Sequence, residues 1–113
     1  MAIKYNMAGE MTAEFQLCEG RHECPVTDSI FGNTVAVMAF GKMELEAHNI
    51  LLPLVLQGLK RLVVYTTGCN SALVAVLNAA TKLRIREVEL KHWDSVNNGY
   101  QSQYVATFSD VYL

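Results

Sequence analysis

The sequence predicts an α/β fold: one domain over residues 1–113, built on a small parallel sheet with two crossover helices and a C-terminal antiparallel hairpin. Three observations predict it. Two near-continuous apolar runs, "TVAVMAF" and "RLVVYT", each lead into a longer segment of helical character. A strand that is apolar along its whole length suits a parallel sheet buried on both faces. Strand and helix patterns alternate, which gives parallel pairing through right-handed crossovers. Asn98-Gly99 then sits between two strand-like stretches, a strong hairpin turn signal.

The elements follow in order. Residues 11–17, "MTAEFQL", form a first short strand. "CEGRHECPVTDSIFGN" (18–33) is a long loop punctuated by Gly20, Pro25, Asp28, Gly32 and Asn33. A loop of that length is more often functional than a short one. "TVAVMAF" (34–40) is a buried strand ended by Gly41. Residues 42–60 are helical, with acidic Glu44 and Glu46 near the start and Gly58 at the end. Pro53 should kink or split this helix. "RLVVYT" (61–66) is the next strand. Asn70 or Ser71 caps a second helix that runs to about Leu83.

"REVELKHW" (86–93) alternates: Val88, Leu90 and His92 share one face, and Glu87, Glu89 and Lys91 the other. The returning strand is 100–108. A two-residue Asn98-Gly99 turn sets Trp93 opposite Tyr104 and His92 opposite Val105.

Half the residues are hydrophobic, 18% are charged, and the net charge is −2. That composition supports a core and carries no basic excess for duplex nucleic acid or anionic membrane. The start "MAIKYNMAGE" has no apolar signal segment, and 50–56 is too short to span a bilayer. Three cysteines without a secretion signal point to reduced thiols and a cytoplasmic location. Two apolar strands need cover on both faces, and the helix "ALVAVLNAATKL" is apolar around most of its girth. Both features point to a homodimer. Alternatively, the first 33 residues cover the second face.

In an open parallel sheet, ligands bind beyond the carboxyl ends of the strands. Three segments converge there: Phe40-Gly41-Lys42, Thr66 to Ser71, and His92-Trp93-Asp94. Gly68 permits close backbone approach. The amides of Cys69, Asn70 and Ser71 would be free donors at a helix N-terminus, with the hydroxyls of Thr66, Thr67 and Ser71 beside them. Read this way, "YTTGCNS" cradles a phosphate; read plainly, it is a strand-to-helix turn with a cap. No GxxxxGK[ST] or GxGxxG motif is present.

Lys42 and Arg21 offer positive charge to an anion at this edge, and His92 offers proton transfer. Trp93 offers a stacking surface. The plain readings are solvated cations, a half-buried histidine and a Trp93–Tyr104 cross-strand pair. Cys18, His22 and Cys24 carry zinc-type side chains in a non-standard spacing without a fourth ligand nearby. No metal and no other cofactor is expected.

The stretch Val63 to Val105, with "TTG", an apolar helix, "HWD" and "YQSQ", resembles the small CRISPR-associated Rossmann-fold (CARF-type) proteins, which sense or degrade cyclic oligoadenylates. The resemblance covers under half the chain. It implies a Rossmann-like sheet, a role in antiviral defence, and a homodimer holding a symmetric ligand at Thr66 to Ser71. In degrading members, the ring nucleases, a ribose 2′-hydroxyl attacks the adjacent phosphate without metal. The leading expectation is thus a protein that binds a nucleotide or cyclic oligonucleotide and, as a phosphodiesterase, cleaves it. Two other classes stay open. One is a phage- or defence-associated interaction module; the other is a small-molecule lyase with an interface active site.

Overall fold

Every second residue of Met11–Gln16 is buried, and this segment is the first parallel strand of the sheet. The computed structural model describes residues 2–18, 24–26, 28–31, 39–67 and 70–105. Within them lie the strands β1 (Ala2–Tyr5), β2 (Met11–Gln16), β3 (Leu59–Tyr65), β4 (Glu87–Asp94) and β5 (Gly99–Val105), and the helices α1 (Phe40–Leu56) and α2 (Asn70–Lys82). The sheet order is β1-β2-β3-β4-β5. β2, β3 and β4 run parallel, whereas β1 and β5 pair antiparallel at the two edges. The sheet is therefore mixed and not parallel throughout. Short turns join each edge strand to its neighbour, and a short turn reverses the chain. In the β1–β2 turn, Asn6 Oδ1 accepts the amides of Ala8 and Glu10, and Gly9 takes φ 78°.

The strand expected at 34–40 is corrected at its end, where Phe40 begins α1. Residues 34–38 lie outside the described residues. Both hydrogen-bonding edges of β3 are filled, by β2 and β4, so the parallel neighbour on that side is 11–16. α1 continues through Pro53 to Leu56. Proline that close to a C-terminus removes one internal bond without ending the helix. Because α1 starts at Phe40, Glu44 and Glu46 fall past its first turn. Gly58, at φ 102°, ends it as expected.

The hairpin register also differs. Trp93 pairs with Tyr100 and His92 with Gln101, four residues from the expected partners. The cause is Asp94, whose carboxylate accepts the amides of Val96 and Asn97 and the side-chain amide of Asn97 at 2.6–3.2 Å. These bonds wind residues 95–98 into a four-residue turn, in which Asn98 takes the positive φ of 51°.

Both helices pack on one face of the sheet. There Met11, Ala13, Phe15, Leu62, Val64, Val88 and Leu90 meet Met43, Ala47, Leu51 and Leu54 of α1 and the small side chains Ala72, Ala75, Ala79 and Ala80 of α2. On the other face, Val63 and Tyr65 are covered by Val26, with Cys24 and Tyr100 packed alongside. Cover for the second face thus comes partly from the segment before α1. Next to it Glu89 is almost fully buried. Its carboxylate is held by Arg61, by Lys91 at 2.8 Å and by the Ser102 hydroxyl at 2.7 Å. α2 is less apolar outside than its sequence suggests: Leu73 and Leu77 pack on the core, while Val74 is 55% exposed.

Candidate functional site

The carboxyl ends of the parallel strands are joined by backbone and hydroxyl bonds. Beyond β2, the amide of Leu17 donates to Tyr65 O, and that of Cys18 to Thr67 O. Thr67 is buried. Its hydroxyl donates to the Cys18 carbonyl and accepts the Cys18 amide at 3.3 Å. The Thr67 side chain therefore locks β2 to β3 and turns away from solvent.

Thr66 points the other way along the edge. Its Oγ1 lies 3.1 Å from His92 Nδ1 and 3.2 Å from the Lys91 carbonyl. His92 Nε2 lies 2.7 Å from Gln103 Oε1. An amide oxygen only accepts, so Nε2 carries hydrogen. With a neutral ring, the Thr66 hydroxyl donates to Nδ1. With a charged ring, Nδ1–H donates to Oγ1, and the hydroxyl turns its hydrogen onto Lys91 O. Both protonation states are satisfied without heavy-atom movement, an arrangement suited to proton transfer.

The other expected residues are spread over several places. Asn70 is exposed at the start of α2. Ser71, Phe40 and Gly41 line one cleft of about 350 Å³ between α1 and α2, with Glu44, Val74, Ala75 and Asn78. Lys42 is exposed on the first turn of α1. Trp93 lies on the helix-free face, edge-on to Tyr100 at 5.3 Å, and Tyr100 is edge-on to Tyr65 at 4.8 Å. Asp94 belongs to the hairpin turn, where the Asn97 side-chain and backbone bonds hold its carboxyl below the usual range. Arg21, Gly68 and Cys69 lie outside the described residues, as does His22. Among the described residues, no group of three or more His, Cys, Asp or Glu side chains gathers to hold a metal, and no helix is long and apolar enough to cross a membrane.

Sequence reasoning missed Gln103, which lies diagonally across from His92, two residues beyond its direct partner Gln101. It also missed the aromatic cluster. There the Tyr100 hydroxyl is buried beside the Cys24 thiol, with no hydrogen-bond partner placed for it among the described residues. Burial first, and Cys24 next, push the Tyr100 phenol up to about 12. Burial also raises Tyr65, with Glu14 adding to the effect.

Comparison with protein families, curated proteins and solved structures gives no match.

Proposed function

We propose that this chain binds a phosphate-bearing ligand, a nucleotide or cyclic oligonucleotide, at the carboxyl edge of a Rossmann-like α/β unit, as a cytoplasmic homo-oligomer. The observation that carries the reading is the Thr66–His92–Gln103 chain at the ends of β3 and β4. His92 is half-buried and Gln103 is exposed, so a ligand oxygen can replace Gln103 at Nε2. Ser71 and Asn70 stand at the neighbouring helix start, and the positive helix end favours an anion. Lys42 adds long-range attraction.

If the ligand is cleaved, the 2′-hydroxyl oxygen bonds to phosphorus and the 5′ oxygen leaves. With Gln103 displaced, the neutral ring takes the tautomer in which Nδ1–H donates to Thr66 Oγ1; its bare Nε2 then takes the hydroxyl proton and returns it to the leaving oxygen. Calorimetric titration with mono-, di- and cyclic oligonucleotides tests the proposal. Wild type should bind well below millimolar. Thr66→Val should weaken binding about five- to tenfold, the worth of roughly one hydrogen bond, and His92→Gln should abolish any cleavage. If no nucleotide binds below about 1 mM, worth only about 4 kcal/mol, the site reading fails.

A second reading has its own observation. Phe40 is 58% exposed and Val74 55% exposed, and both line the cleft between the helices. Exposed apolar side chains around a cleft also suit a protein partner, and this reading takes the lead if nucleotides do not bind.

A further inference from the structure

β5 is the outermost strand of the sheet, and no described residue pairs with its outer edge. Along its seven residues, alternate ones turn their backbone donors and acceptors to that edge. Such edges are normally blunted by charge, proline, a bulge or shortness. β1, at the opposite edge, has two of these devices: four residues only, and Lys4 at its centre. β5 has none. "GYQSQYV" contains no charged residue and no proline, and its pairing with β4 runs without a register shift from Val88–Val105 to Asp94–Gly99. Residues 101–104 are exposed.

We infer that β5 pairs antiparallel with β5 of a second copy, about a twofold axis through Ser102, so that two sheets become one. Symmetry restricts the register. Residues directly opposite in an antiparallel pair share a face, so their numbers must sum to an even value. The sum that overlaps the whole strand is 204. It sets Gly99 against the partner's Val105, Tyr100 against the partner's Tyr104, Gln101 against the partner's Gln103, and Ser102 against itself.

Each pairing is compatible. No charge faces a like charge, the tyrosines meet as aromatic cross-strand pairs, and the glutamines can bond amide to amide. Pairing β1 with itself would instead bring lysines together near the axis. This explains a second copy better than an unrelated peptide, because the strand matches its own inverse without adjustment. The partner's Gln101 then lies beside Gln103, which holds His92, so the two copies complete each other's edge site. The pairing rests on the strand alone and does not depend on ligand.

The test is the mass of the full chain in solution, with two variants. Light scattering across micromolar concentrations should give twice the 12.6 kDa chain mass for wild type. The double variant Gln101→Lys/Gln103→Lys sets lysines opposite lysines across the axis, and should run as a monomer with an unchanged far-ultraviolet spectrum. Ser102→Cys should form an intermolecular disulfide under mild oxidation. Opposed antiparallel residues lie about 4.5–5.5 Å apart at Cα, within disulfide reach. Peptide mass mapping should find the 102–102 link. A wild type that stays monomeric overturns the inference. So does a dimer that survives both lysines and yields no 102–102 link.

Discussion

The two faces of the sheet are stabilised by different means, and β3 shows both within adjacent residues. Leu62 points to the helices and Val63 away from them; both are buried. The helix side has a continuous apolar layer of two helices. The other side has no helix among the described residues. It is closed at one end by Val26 with the Tyr65–Tyr100–Trp93 rings, and at the other by Arg61, Lys91 and Ser102 folded over Glu89. Among the described residues, the apolar β3 is thus covered on this side by rings and ion pairs, without a second layer of helices. Aromatic rings and a satisfied ion network can exclude water from it, as long as every buried charge is matched.

The largest effect should separate the faces directly. Leu62→Ala should cost about 3 kcal/mol through lost transfer energy and a cavity, and Val63→Ala about 1.5 kcal/mol, read from urea midpoints. Equal losses would mean that the helix-free face is packed as tightly as the other. The next effect concerns Glu89. Glu89→Gln leaves Arg61 and Lys91 without their carboxylate. It should cost about 1 to 2 kcal/mol, less than a fully buried pair, since the two cations are 36% and 27% exposed. Replacing Arg61, Glu89 and Lys91 together by Met, Leu and Met should fall within about 1 kcal/mol of wild type. A single variant as stable as wild type would show that the network does not hold the face.

The smallest effect is at Tyr100. Tyr100→Phe removes a buried hydroxyl that has no partner among the described residues, so stability at neutral pH should hold or rise slightly. The pH response gives the sign. The unfolded phenol ionises near 10.0, while the folded one waits until about 12. The unfolded state thus loses its proton first, and stability falls as pH rises between these values. Thermal melts of wild type should show that fall, and Tyr100→Phe should flatten it. A clear loss of stability in the variant at neutral pH would mean the hydroxyl is bonded.

Local pattern carried much of this into view. The alternation of 86–93 correctly put Val88 and Leu90 on one face and Glu89 on the other, and Gly58 marked the end of α1. What escaped depended on long-range partners or on one competing side chain. Glu89 reads as a solvent-facing residue; its burial needs Arg61 from β3 and Ser102 from β5. Asn98-Gly99 favoured a two-residue turn, but the Asp94 carboxylate supplied acceptors for a wider one and moved every cross-strand pair. "TTG" placed Thr66 and Thr67 at a strand end. Which hydroxyl turns to the edge and which turns inward was decided by Cys18, nearly fifty positions earlier.

That inward hydroxyl has a mechanical consequence. Thr67 binds both the carbonyl and the amide of Cys18, so the ends of β2 and β3 cannot separate without breaking both bonds at once in a buried place. The floor of the carboxyl edge is a fixed anvil. Among the described residues, the groups above it that turn freely are chiefly the Thr66 hydroxyl and the Gln103 amide. Those move on the timescale of rotamer changes, far faster than strands part.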